Sequence, residues 1–174
     1  MSDPLVIIPA RMAATRLPGK PLADIAGEPM IVHVWRRAVE AGIGPVAVAT
    51  DAPEIAAAIE AAGGQAVLTR ADHPSGSDRI HEAMETLDPQ GAHDVIVNVQ
   101  GDFPTIDPRA IAAAVLPLAD PAVMIATLAC PITEEDEARD PNVVKVTKSR
   151  EGWALYFSRS TIPHDREGAS TSYF

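Results

Sequence analysis

The chain has 174 residues, a net charge of −10, and a composition that is 47% hydrophobic but only 4% aromatic. That length suits one domain, and the apolar share, mostly Ala, Val, Ile and Leu, is enough for a buried core, which excludes global disorder. An acidic chain is repelled by nucleic acid and by anionic membranes, so any phosphate it binds has to be met by a local cluster of cations. Its single cysteine, Cys130, excludes an internal disulfide and four-cysteine zinc motifs. In the apolar run 125–130 a buried, inert thiol is expected. No window approaches the ~18 apolar residues of a membrane span, and the N-terminus lacks a signal-peptide pattern, so a soluble, cytoplasmic protein is expected.

The first element is a strand at residues 5–8, apolar throughout and rich in Ile and Val, as in strands covered on both faces. After a long loop, Ile31, Val34, Trp35, Ala38 and Val39 fall at helical spacing and form one apolar stripe. Residues 46–49 read as a second buried strand. Asp51 with Glu54 resembles a capping box, with Pro53 in the first turn of a helix whose stripe is Ile55, Ala58, Ile59 and Ala62. Gly63-Gly64 stands where a left-handed stop is expected. A strand at 67–68 leads to a helix with stripe Ile80, Ala83, Met84 and Leu87. A strand at 95–99 leads to Asp107-Pro108, an N-cap followed by proline, and then a helix on Ile111, Ala114, Val115 and Leu118. Residues 123–129 read as one more strand.

Such alternation implies right-handed βαβ units and a mostly parallel sheet with helices on both faces, forming a single domain over 1–174. Residues 143–147 and 153–157 read as a hairpin appended to it, turning at Glu151-Gly152. Open sheets of this kind bind ligands at the carboxyl ends of their strands. Function is therefore expected in the segments 9–20, 50–51, 69–78 and 100–104.

Three of these segments carry suitable chemistry. The loop after the first strand holds Arg11, Arg16 and Lys20 within ten residues, with Pro18 and Gly19 shaping its turn. Three cations there form an anion cradle, to which backbone N–H groups can add. It is not a Walker loop, because the glycine and Lys-Ser/Thr pattern is missing. Asp102 in the run Gln100-Gly101-Asp102 leaves a buried strand where a carboxylate could hold Mg²⁺, an ion that takes few protein ligands and shares the rest of its shell with phosphate and water. A turn or capping aspartate is the plainer alternative. Arg70, Ser75, Gly76 and Arg79 surround a turn that opens a helix and could grip a phosphate or read a base edge. A simple serine cap with a solvated arginine explains the same pattern. The five histidines have no metal spacing and read as structural or solvated.

Taken together, the segments 7–22 (IIPARMAATRLPGKPL), 69–79 (TRADHPSGSDR), 97–104 (VNVQGDFP) and 154–166 (ALYFSRSTIPHDR) resemble the 3-deoxy-manno-octulosonate cytidylyltransferase (CMP-Kdo synthetase) family. The resemblance covers about residues 5 to 166. It implies a Rossmann-like nucleotidyltransferase fold and transfer of CMP from CTP to Kdo with release of pyrophosphate, for lipopolysaccharide synthesis, with Mg²⁺ as cofactor. By that resemblance Arg11, Lys20 and Asp102 are catalytic. Arg11, Arg16, Lys20, Arg70, Ser75, Gly76, Arg79, Gln100 and Asp102 contact the nucleotide, and Asp102 holds the metal. It further implies a homodimer in the full-length form, with neither nucleic acid nor membrane as partner. A further C-terminal portion, carrying a second metal aspartate and sugar-binding residues, is expected beyond these 174 residues. Phe103 departs from the family's Gln-Gly-Asp-Glu-Pro pattern, and Ser77 replaces its common threonine. A cytidylyltransferase for another acidic sugar such as sialic acid, or a CTP-binding module without catalysis, is the alternative reading.

Overall fold

The computed structural model describes residues 3–12 and 18–163. Arg16 and His164 therefore lie outside the described residues. The chain divides into two compact units, Met1–Ala126 and Thr127–Phe174.

In the first unit β1 (Leu5–Ala10) is followed by a single 3-10 turn at Lys20–Leu22 and a small hairpin of β2 (Asp24–Ile25) and β3 (Glu28–Pro29). Then come α1 (Met30–Glu40), β4 (Val46–Thr50), α2 (Pro53–Ala61), β5 (Gln65–Leu68), α3 (Gly76–Leu87), β6 (Ile96–Asn98) and α4 (Pro108–Val115). Strands β5, β4, β1 and β6 lie side by side in that order, and every pairing is parallel. The expected α/β architecture is present, with β1 in the interior of the sheet.

Successive side chains of a strand point to opposite faces, and β1 fills both. Val6, Ile8 and Ala10 pack with Ile31, Val34, Ile55, Ile59 and Ile111 from α1, α2 and α4. Leu5 and Ile7 pack on the other face with Ile80 and Ala83, and Met84 and Leu87 lie against them, all from α3. This two-sided burial is why residues 5–8 are apolar without alternation.

Of the three helix ends expected at Asp51, Gly63-Gly64 and Asp107-Pro108, two form as expected. Asp107 caps α4, accepting from the Arg109 N–H at 2.9 Å, with Pro108 following. Gly63 takes φ +86°, and the Gly64 N–H closes onto Ile59 O at 2.9 Å, the stop expected after α2. Asp51 does not cap α2. The cap position is Ala52, which makes no side-chain cap, and the Asp51 carboxylate is instead drawn to Arg79. The β2–β3 hairpin was not foreseen. Its turn residues Ala26 and Gly27 both have positive φ, and alanine rarely signals such a turn.

Residues 123–129 are not a strand. A strand exists only within a hydrogen-bonded ladder. Among the described residues no strand pairs with them, and Met124, Ile125 and Leu128 are exposed. Cys130 is likewise exposed rather than buried.

The second unit contains a short helix, α5 (Glu135–Arg139), and the antiparallel pair β7 (Lys145–Lys148) and β8 (Ala154–Ser158), the expected hairpin, turning at Gly152 with φ +95°. Lys145 is only 3% exposed. Its ammonium donates at 2.8 Å to the carbonyls of Asp140, Val143 and Arg159, so all three of its donors are used.

Candidate active site

Four loops leave the carboxyl ends of the parallel strands in the first unit, and the residues singled out above lie on three of them. The loop after β1 ends in a built turn. Gly19 takes φ +71°, a conformation that disfavours any side chain, and its N–H reaches Met12 O at 3.3 Å. The backbone then tightens, with Leu22 N–H donating to Gly19 O at 2.9 Å and Pro21 buried beneath. This seats Lys20 at a fixed point, and its Nζ lies 3.0 Å from Asp102 Oδ2. Both side chains remain partly open to solvent. Arg11 is exposed directly after β1.

The loop after β6 is held against β1 by Gly101. A Cβ added there would sit 2.7 Å from the carbonyl oxygen of Pro9, closer than real Cβ atoms come. The loop before α3 meets the same residue from elsewhere: a Cβ on Gly76 would lie 3.4 Å from Pro9 Cγ. Pro9 is thus a pivot against which Gly101 and Gly76 both rest. Gln100 is exposed and donates through Nε2 to Asn98 Oδ1 at 2.9 Å.

Ser75 is the N-cap of α3. Its hydroxyl oxygen accepts from the Asp78 N–H at 3.2 Å and donates to Asp78 Oδ2 at 2.5 Å. The plain capping role therefore exists: it takes up the Asp78 amide, and the Asp78 carboxylate stands in the same first turn. Arg70 is exposed and pairs with Asp72 at 3.2 Å. Its N–H also donates to the Glu82 carboxylate, which pairs with His73 as well. The hydrogen bond to His73, with the Arg70 amide, holds the Glu82 carboxyl below its ordinary range. An open depression of about 360 Å³ beside this turn is lined by Asp78, Glu82 and Glu85 as well as Arg70. His73, Pro74 and His81 complete its lining.

Arg79 differs from the other candidates. It is 3% exposed, and its guanidinium points inward to Asp51 at 3.2 Å and to Thr69 Oγ1 at 2.5 Å. Sequence reasoning missed Pro9, the His73–Glu82 pair and the Asp51–Arg79 pair. Only the small residues at 76 and 101 hinted at the first of these. Among the described residues no group of three His, Cys, Asp or Glu side chains is arranged to hold a metal, and no helix is long and apolar enough to cross a membrane.

A parallel α/β sheet with a lysine, an aspartate and a helix N-terminus at its carboxyl edge fits a nucleotide-handling class of protein. The chain belongs to the cytidylyltransferase family, whose profile matches residues 5–173. A 3-deoxy-manno-octulosonate cytidylyltransferase of Methylobacterium radiotolerans is 69% identical over 167 residues, 94% of this chain and 68% of the relative. One from Xanthobacter autotrophicus is 68% identical over 163 residues, 91% of this chain and 64% of the relative. Among solved structures, a CMP:2-keto-3-deoxy-manno-octonic acid synthetase complexed with CTP superposes with a TM-score of 0.89 at 45% identity. It matches 99% of this chain and 70% of its own. A 4-diphosphocytidyl-2C-methyl-D-erythritol synthase, at 13% identity and TM-score 0.58, shares the fold.

Proposed function

We propose that this enzyme transfers CMP from CTP to Kdo, releasing pyrophosphate and forming CMP-Kdo. The observation that carries the reading is the convergence of Lys20 and Asp102 at the carboxyl edge of the sheet, in a chain 45% identical over almost its whole length to a synthetase complexed with CTP.

In the transfer, the anomeric hydroxyl oxygen of Kdo bonds to the α-phosphorus of CTP as the bond to the β-phosphate oxygen breaks. The hydroxyl proton passes to solvent and pyrophosphate leaves. Such displacements need positioning and charge neutralisation more than covalent help. Arg11, Arg16 and Lys20 bind the triphosphate, and Lys20 offsets the charge gathering on the departing pyrophosphate. Ser75 and Gly76 at the start of α3, with Arg70 nearby, hold the rest of the nucleotide, and Gln100 contacts it from the loop after β6.

Asp102 suits a magnesium ion, because a single exposed carboxylate beside a phosphate site matches an ion that takes one or two carboxylates and completes its shell with phosphate and water. When bound, Mg²⁺ supplies charge neutralisation at the phosphates and makes the attacking hydroxyl more acidic. A cytoplasmic homodimer serving lipopolysaccharide synthesis completes the reading.

The test is pyrophosphate release from CTP with Kdo and Mg²⁺, run beside sialic acid. Turnover that prefers Kdo is expected. Preference for sialic acid would reassign the acceptor, and CTP binding without release of pyrophosphate would make the chain a binding module.

A further inference from the structure

A buried arginine keeps its charge at any accessible pH, so it has to be given an anion and hydrogen-bond acceptors. Arg79 lies in the second turn of α3 and finds these below the helix, on the ends of two strands. Asp51 follows the last residue of β4, and Thr69 follows the last residue of β5. These strand ends are joined to each other as well, the Thr69 N–H donating to Thr50 O at 2.8 Å. The Thr50 hydroxyl, fully buried, accepts from the Ala52 N–H at 3.2 Å and fixes the turn that carries Asp51. One guanidinium therefore binds α3 to two neighbouring strands at once.

That strut begins one turn from the nucleotide end of the helix. The Arg79 N–H closes onto Ser75 O at 3.4 Å, and Gly76 rests on Pro9. Asp51 Oδ1 is buried and has no hydrogen-bond partner among the described residues, so the carboxylate is committed to Arg79 through its other oxygen alone. Arg79 is buried and Asp51 half-buried, whereas Ser75 and Gly76 are exposed.

We infer that Asp51 and Arg79, with Thr69, are positioning residues for CTP binding: they touch no substrate and act by holding the first turn of α3, at Ser75 and Gly76, in place against Pro9. The inference rests on the proposed transfer from CTP and departs from direct contact between Arg79 and the nucleotide. Holding the turn in advance removes an ordering cost that would otherwise fall on CTP binding. It leaves the reacting phosphorus, near Lys20 and Asp102, untouched.

The test uses the full chain with Asp51→Asn, Arg79→Lys, their double variant, and the milder Thr69→Val, which removes one acceptor at nearly constant volume. Wild-type turnover with CTP and Kdo is measured first, because its absence overturns the functional reading and not this one. Amide exchange over residues 70–78 is measured in each protein without nucleotide. The expected result is a 5- to 20-fold rise in KM for CTP with kcat within about twofold, faster exchange at 70–78, and a double variant no worse than the worse single one. A smaller rise of the same kind is expected for Thr69→Val, which decides the matter if the charge variants do not fold. A fall in kcat with KM unchanged, additive single effects, or unchanged exchange would each overturn the inference.

Discussion

The Lys20 ammonium and the Asp102 carboxylate, eighty-two positions apart in the chain, lie 3.0 Å from each other. The side chains expected to take opposite partners, a phosphate and a cation, are one another's counter-ion. Each is more than a third exposed, and such pairs contribute only about 0–1 kcal/mol to stability. Lys20→Met should therefore change the melting temperature little. It should raise KM for CTP roughly 10- to 100-fold, since a charge-assisted contact to phosphate is worth about 1.5–3 kcal/mol. Thermal melts beside steady-state kinetics would check this. A large loss of stability without a change in KM would make the pair structural.

The two glycines on Pro9 should respond differently to the same methyl group. At Gly101 it meets the backbone oxygen of Pro9 at 2.7 Å, and backbone cannot yield without moving β1. At Gly76 the neighbour is a ring carbon at 3.4 Å, near ordinary contact. Gly101→Ala should lower turnover at least tenfold by displacing Asp102, while Gly76→Ala should stay within a few-fold of wild type. Equal kinetic effects of the two variants would argue against the pivot.

Asp88 ends α3 and accepts from the Ala92 and His93 N–H groups, both at 2.8 Å. These bonds hold its carboxyl below the ordinary 3.8, the Ala92 amide contributing most. A depressed carboxyl contributes stability that is present above its unfolded value and lost as pH falls through its folded one. Asp88→Ala should thus melt below wild type at neutral pH, and the gap should persist to about pH 4 and close only at more acid pH. Melting curves from pH 7 to pH 2 would show it, and a gap closing near pH 6 would point to another group.

Lys145 should be required for the second unit. Lys145→Met keeps most of the volume but leaves three carbonyls without their donor. A buried acceptor left unpaired costs about 1–3 kcal/mol. The expected outcome is selective protease sensitivity within residues 127–163, seen by limited proteolysis. Unaltered resistance there would show that water replaces the ammonium.

The strands at 5–8 and 46–49 were legible because burial on both faces forces a continuous apolar run, and α4 was legible because Asp107-Pro108 is a local signal. Residues 123–129 have the same composition as those strands. Their state is decided by whether a neighbouring ladder exists, which composition does not encode. Asp51 shows the same limit at the site: its spacing to Glu54 is that of a cap, yet an arginine twenty-eight positions later claims the carboxylate. Lys20 and Asp102 could be named separately from their loops. Their pairing could not, because it depends on β1 and β6 lying side by side.

Of the four strands in the parallel sheet, β1 is interior and is also made first. Val6 pairs with Val46 and Leu5 with Ile96, so β1 leaves the ribosome long before either neighbour. At about 5–20 residues per second the sequence Leu5-Val6-Ile7-Ile8 stays without its β6 edge for roughly 5–20 s of synthesis. During that interval an apolar, β-prone segment is open to mispairing with other chains. The strand that anchors the site thereby depends on shielding during biogenesis.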